Sequence, residues 1–317
     1  MFTAYSPRGT ATAVMTLLVR GIDWSDSATP KIRCVDDDTG ATSYFTCGST
    51  FRFFVHQSRG LRCLGRQDGS VRLPCDRDAQ IVSGRQCERC RARDGFTTVH
   101  QAHLDGARIH PNVRAYLALP QWLYVDIFAG GRMKVGTAVD FRRHSRVAEQ
   151  GAVSAFFLAR SRDGVAVREL EARVSREFHL SQAVRTSRKI EALAARVDRG
   201  ELRRALHDFV VSATADLAEL SDGIDGVDIA GPAEEWSPPV CAEQVFDAAP
   251  LNVYPHAFVS GEHSLYVTGM AGSVAMVRTR LDPESPRFVA DLSSLVGRTL
   301  TVGEFDSPGV AVQESLF

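Results

Sequence analysis

Four of the seven cysteines in this 317-residue chain fall close together: Cys63, Cys75, Cys87 and Cys90, spaced C-x11-C-x11-C-x2-C. Each sits in a turn-like context: Cys63-Leu64-Gly65, Pro74-Cys75-Asp76 and Cys87-Glu88-Arg89-Cys90. A two-residue spacing lets one turn present both sulfurs to one ion, and four thiolates complete a tetrahedral zinc shell with no open position. From Arg62 to Phe96 the chain is poor in large aliphatics and rich in Gly, Arg, Asp and Cys. Apolar burial cannot organise such a segment, so metal binding would supply its folding free energy. A redox CxxC and scattered reduced cysteines are competing readings, and Cys34 or Cys47 could replace a ligand. A closed four-thiolate site points to scaffolding or substrate docking rather than to hydrolysis. Cys241 reads as incidental.

The centre of the chain carries a second constellation. Trp122-Leu123-Tyr124 is followed, after nine residues, by Lys134-Val135-Gly136. This run resembles the GIY-YIG nuclease superfamily, whose two namesake triplets lie on the first strands of a small sheet. Tyr124 matches the tyrosine of the first triplet, and Val135 and Gly136 match the end of the second. Arg146 and Glu171, on the next two helices, match the superfamily's arginine and glutamate. Lys134 stands where the superfamily usually has tyrosine, and Trp122 replaces the first glycine. The stretch from Lys134 through Arg146 to Glu149-Gln150-Gly151-Ala152 is also similar to prokaryotic proteins that join a cysteine-rich zinc segment to such a domain. With the cysteine segment included, that likeness covers most of the chain.

The resemblance implies a catalytic set of Tyr124, Lys134, Arg146 and Glu171. Phosphodiester hydrolysis needs an activated water, positive charge on the non-bridging oxygens and help for the leaving group. Glu171 would hold one catalytic Mg²⁺ or Mn²⁺, an ion that keeps several waters and takes few protein ligands. Arg146 would neutralise charge on the phosphate with its planar fork. Tyr124 would orient the water, or deprotonate it if nearby cations lowered its pKa. A lysine at position 134 can contact phosphate but does not replace a phenol. Arg142 and Arg143 compete with Arg146, with His144 among them, and Glu169 competes with Glu171. The plain alternatives are a core tyrosine, surface charges at Arg146 and Glu149, and a surface ion pair between Arg168 and Glu171.

Net charge is −1, which argues against a general nucleic-acid binder. The charge is uneven, however. Residues 132–208 hold 17 basic and 10 acidic side chains, a surplus of +7, and residues 209–317 hold 4 and 16, or −12. A basic middle attracts phosphate locally, although arginine-rich solvated helices would look the same. Arg185, Arg188 and Lys189 read as a solvated helix start rather than a groove. His100, His103 and His110 are too loosely spaced to suggest a metal site. No apolar run reaches membrane-spanning length, and Thr10 to Val19 reads as a strand pair rather than a signal peptide, so a cytoplasmic location is the expectation.

These residues need a scaffold, and the periodicity supplies one of α+β class. The resemblance implies a small GIY-YIG-like mixed sheet with flanking helices, preceded by a β-rich and zinc-ribbon-like region and followed by a β-rich tail. Strands are expected over Ala13 to Arg20, Lys31 to Val35, Tyr44 to Cys47 and Thr50 to His56. Val165 to Phe178 reads as a helix burying Val167, Leu170, Val174 and Phe178, and Ile190 to Leu220 as helical with a break at Gly200. A Gly/Asp/Pro-rich linker is expected over Ser221 to Pro239. Further strands follow at Ser264 to Thr268, Ser273 to Arg278, Phe288 to Leu292 and Thr299 to Val302. The implied organisation is a β-rich region at 1–60, the zinc segment at 61–120, the GIY-YIG-like domain with its helices at 121–220, and an acidic β-rich region at 221–317. The expected function is metal-dependent cleavage of DNA or RNA, with structural zinc, nucleic acid as partner and no membrane association. Binding without cleavage, or action on another phosphate ester or tRNA-linked substrate, are the alternatives.

Overall fold

A computed structural model describes residues 15–309 except 27, 70, 97, 98 and 100–108. Among them are seven α-helices and 17 strands, an α+β architecture. In chain order the elements begin with β1 (Met15–Asp23), β2 (Lys31–Asp36), β3 (Thr42–Thr46) and β4 (Thr50–Val55). The short strands β5 (Leu61–Arg62), β6 (Arg66–Asp68), β7 (Val71–Leu73) and β8 (Gln80–Ile81) lead to helices α1 (Glu88–Asp94) and α2 (Pro111–Leu117). Next come β9 (Gln121–Ile127), β10 (Met133–Val139), α3 (Arg143–Gln150), β11 (Ser154–Ser161), α4 (Gly164–Glu177), α5 (Thr186–Leu193) and α6 (Arg199–Leu220). The chain ends with β12 (Val227–Trp236), α7 (Val240–Asp247), β13 (Asn252–Val253), β14 (Gly261–Ala271), β15 (Val274–Arg278), β16 (Phe288–Asp291) and β17 (Thr299–Val302).

A nine-stranded sheet runs β13-β16-β15-β14-β4-β17-β1-β2-β3, antiparallel at every pairing except β13 with β16. Strand β4 lies between β14 and β17, so the two β-rich stretches set apart in the sequence share one sheet. Their strands alternate with period two: in β2 and β4 every second residue is buried, including Ile32, Cys34, Phe51, Phe53 and Val55. The inward set of this sheet forms one core with Tyr124, Ala148 and Phe157.

The second sheet runs β10-β9-β11-β12, all antiparallel. Strand β9 is buried along nearly its whole length because both faces are covered. Leu123, Val125 and Ile127 pack into a core with Val167, Leu170 and Val174 of α4 and Leu206 and Val210 of α6. The alternate residues, Trp122, Tyr124 and Asp126, therefore face the other way, and they set the position of the candidate site. Helix α4 starts at Asp163, whose carboxylate accepts from the backbone N–H of Val165 and Ala166 at 3.0 and 2.9 Å. It packs along the edge strand β10.

Helix α3 ends at Gly151, which has φ +71° and lies against the β14–β15 turn. A Cβ there would sit 2.8 Å from the carbonyl oxygen of Ala271, and one on Gly272 would sit 2.9 Å from that of Glu149. The two glycines permit the contact that locks the small sheet to the large one.

Several expectations change. From Met15 onward β1 is one strand rather than a strand pair, and Ala13 and Val14 lie outside the described residues. The helical stretch after Ile190 breaks at residues 194–198, not at Gly200, which sits in the first turn of α6 behind its Asp198 cap. Most of the expected 221–239 linker is strand β12, which closes the small sheet against β11. Its pairing shifts register between the Ile229 and Glu234 partners, and this irregularity around Gly231-Pro232 hides the strand from period-two reading. Helix α4 and strands β14 to β17 fall where expected.

Candidate active site and metal centre

The β9–β10 register builds the site. Gly136 lies opposite Tyr124, and Lys134 lies opposite Asp126. A Cβ at Gly136 would be 2.6 Å from the Tyr124 hydroxyl oxygen and 2.7 Å from Cζ. Only the absence of a side chain there lets the phenol lie across its neighbour strand. Lys134 Nζ donates to Tyr124 Oη at 3.3 Å and to Gln150 Oε1 at 3.3 Å, and it lies 3.7 Å from Asp126 Oδ2.

Tyr124, Lys134, Arg146 and Glu171 all line one cavity of about 300 Å³, with Gly136, Thr137 and Arg168. Of the competing residues, Arg143 and Glu169 point elsewhere, whereas Arg142 joins the cavity wall. Arg143 stacks over the Trp122 ring at 4.8 Å and pairs with Glu234 at 3.0 Å. Glu169 pairs with Arg173 at 2.6 Å. Arg142 binds Glu149 and reaches the cavity wall beside Arg146, which lies 3.4 Å from the same carboxylate.

Burial dominates the protonation equilibria. It pushes the Tyr124 phenol above its ordinary value, against the opposing pull of Lys134 and Arg146. The expected lowering by nearby cations is thus outweighed, and Tyr124 is a neutral phenol in this state. Burial also raises the Glu171 carboxyl, although Arg168, Lys134 and Arg146 oppose it. Arg168 Nη1 stands 3.8 Å from Glu171 Oε2 and donates to Thr137 Oγ1 at 2.6 Å. The Arg168–Glu171 pair is therefore 3–8% exposed, not a surface pair. Burial would depress Lys134, but Asp126 and Tyr124 more than compensate, so its ammonium is held charged.

Two charged side chains beside the site were missed by sequence reasoning. Asp126 is fully buried, neither carboxylate oxygen accepts a hydrogen bond, and burial raises its pKa against the pull of Lys134. Its position two residues after Tyr124 on the same strand was the available signal. Lys189, expected on a solvated helix start, donates to the Gln150 carbonyl at 2.6 Å and stands 4.5 Å over the Phe128 ring. Burial lowers its pKa to about 8. Arg185 and Arg188 are exposed, as expected.

The sulfurs of Cys63, Cys75, Cys87 and Cys90 lie within 4.8 Å of one another, an arrangement that can hold a metal ion. Cys75 and Cys87 Sγ are 4.0 Å apart, close to the roughly 3.8 Å edge of a tetrahedral Zn–S₄ site. Cys63 Sγ accepts from the backbone N–H of Cys87 at 3.1 Å and of Gly65 at 3.4 Å, donors that favour a thiolate. Burial and the facing sulfurs push the Cys90 thiol up. Burial pushes the Cys63 thiol up as well, so a cation among the four sulfurs is what would hold them as thiolates. Cys34 is buried in the core of the large sheet and Cys47 lies beside Cys241, so neither joins the cluster. His110 caps α2 by accepting from the Asn112 N–H at 3.2 Å, while His100 and His103 lie outside the described residues. No helix among the described residues is long and apolar enough to cross a membrane. Comparison with protein-family models, curated proteins and solved structures finds no match.

Proposed function

We propose that the chain is a metal-dependent nuclease of GIY-YIG type that cleaves DNA or RNA, with structural zinc in its four-cysteine cluster. The observation that carries this reading is the convergence of Tyr124, Lys134, Arg146 and Glu171, from β9, β10, α3 and α4, on one cavity. Glu171 accepts no hydrogen bond from any described residue, lines that cavity and suits a cation that takes one carboxylate and keeps its waters. Mg²⁺ or Mn²⁺ bound there would polarise the phosphate and acidify a water. Arg146 neutralises charge growing on the non-bridging oxygens. Lys134 fills one lone pair of Tyr124 Oη, leaving the phenolic O–H to orient the water or the phosphate. Tyr124 is then a positioning donor rather than a base.

A second reading, binding without cleavage, is favoured by Lys134 itself. It replaces a phenol and is tied to Tyr124, Gln150 and Asp126. Incubating the protein with single-stranded, duplex and branched DNA and with RNA, in Mg²⁺ or Mn²⁺ and beside Glu171→Ala, separates the two. Metal-dependent cleavage lost in Glu171→Ala supports the nuclease. Equal binding by both proteins with no cleavage supports the second reading, and neither cleavage nor salt-sensitive binding removes both. Metal analysis should find about one zinc per chain. Absence of zinc, with four freely titratable thiols in the folded protein, would sink that assignment.

A further inference from the structure

A cleft of about 580 Å³ opens beside the candidate active site, and six arginines line it: Arg20, Arg33, Arg72, Arg85, Arg142 and Arg146. They come from three parts of the fold: β1 and β2 of the large sheet, the cysteine-rich segment, and the start of α3. Arg142 and Arg146 share Glu149. Arg20, Arg33, Arg72 and Arg85 form no ion pair within 4.0 Å among the described residues. Arg20 donates to the Leu64 carbonyl at 2.7 Å. Burial, then Arg72 and Arg33, hold its guanidinium below its usual pKa, and burial and Arg33 do the same to Arg72. Asp94 and Asp291 offset part of the charge on Arg72 and Arg85. Six arginines against two lining carboxylates, Asp23 and Glu149, still leave the cleft with a positive surplus that an anion would answer.

The cleft is not isolated. A third cavity, of about 730 Å³, shares Arg72, Arg85 and Arg142 with it, and shares Phe96, Tyr116 and Arg142 with the catalytic cavity. Phe96 and Tyr116 meet edge to face at 5.5 Å, and Phe141 on the same wall is 76% exposed. Three carboxylates stand on these walls: Asp94 accepts from Gln86 and draws on Arg72, Glu149 binds Arg142, and Asp23 accepts from the Ser25 N–H at 2.8 Å and feels Arg33. The groove therefore offers a surplus of arginines along one side and aromatic faces along another.

We propose that these three confluent cavities form a binding track for single-stranded nucleic acid, with phosphates on the arginine cleft and bases against Phe96, Tyr116 and Phe141. A positive groove interleaved with aromatic faces suits a single strand, whose bases are free to stack, whereas a duplex hides them. The track leads to the Glu171 cavity, so the unpaired strand is the one presented for cleavage. It also gives the cysteine-rich segment a task, because its fold carries Arg72 and Arg85 to the substrate. The inference rests on the nucleic-acid reading of the site but not on cleavage.

The test is fluorescence anisotropy with labelled single-stranded DNA, single-stranded RNA and duplex DNA of equal length, at several salt concentrations. Full-length zinc-loaded wild type, Glu171→Ala, the double variant Arg72→Ala/Arg85→Ala, its Lys/Lys counterpart and Phe141→Ala are compared. Wild type and Glu171→Ala should bind one or both single strands at least about tenfold tighter than the duplex, as stacking on exposed bases implies. Losing two phosphate contacts should weaken binding on the order of tenfold or more and flatten the log–log salt slope by about 1.4. The Lys/Lys variant should recover the slope. Phe141→Ala, at an exposed position that cannot unfold the chain, should lose about fivefold or more on single strands with the slope unchanged. Equal or tighter duplex binding, or wild-type binding by both the double variant and Phe141→Ala, overturns the track. Cleavage by wild type alongside that result leaves the nuclease standing without the track. The expected binding pattern without cleavage leaves the track standing without the nuclease.

Discussion

At the level of single residues, the site depends on what faces Tyr124 across the β9–β10 ladder. Gly136→Ala would place a methyl group 2.6 Å from the phenol oxygen. Repacking should cost roughly 1–3 kcal/mol, read from urea denaturation, with loss of cleavage from displacement of Tyr124. A variant as stable and as active as wild type would show that the phenol position is unimportant. Glu171 gives a pH signature. Its folded pKa is raised by burial, so the native state holds the proton more tightly than the unfolded chain, whose value is near 4.5. Its contribution to stability is fully present below the unfolded pKa and is lost as pH rises through the folded one. Glu171→Gln should therefore gain stability relative to wild type between pH 4.5 and 8, measured as urea midpoints without added Mg²⁺ or Mn²⁺. A pH-independent difference would contradict the raised value. The family resemblance singled out Tyr124, Lys134, Arg146 and Glu171 in the sequence, and the fold brings these four to one cavity. Asp126 stayed hidden because a lone carboxylate in an apolar strand reveals its burial only once the opposite face is known to be covered.

At the level of elements, the cysteine-rich segment and the small sheet are organised by different forces. Strands β5 to β8 are two or three residues long, and the segment's buried apolar side chains are few, with Cys63, Leu64 and Cys90 foremost. On the zinc proposal, a strong chelator should open residues 61–94 to trypsin at their arginines while the remaining sheet keeps its circular dichroism. Protection unchanged after metal removal would place the folding energy elsewhere. The cysteine spacing announced the four-sulfur cluster because its pattern is local. Strand β12 was not announced: its Gly, Pro and Asp content reads as linker, and only pairing with β11 supplies its conformation. The same distinction separates α4, whose Val167, Leu170 and Val174 mark one face, from α7, whose eight residues are too few for periodicity to identify.

Across the whole molecule, N- and C-terminal strands depend on each other. Among the described strands, β4 pairs with β14 and β17, and β1 has β17 on one side. A chain ending at residue 250 would lose five of the nine strands and leave β4 without a partner on either edge. Phe51, Phe53 and Val55 would be uncovered, at roughly 1.5–3 kcal/mol for each such side chain. Such a chain should aggregate; a soluble monomer with a cooperative melt would mean that the small sheet folds independently of the large one. The acidic tail thus completes the fold, an interdependence that strand patterning alone does not reveal because register and partner choice are non-local. The most direct test of the nuclease reading is single-turnover cleavage of an end-labelled oligonucleotide with protein in excess and Mn²⁺ titrated. The expected result is a wild-type rate that rises and saturates with Mn²⁺ and falls by about 100-fold or more in Glu171→Gln. Cleavage independent of Mn²⁺, or retained in that variant, would contradict it.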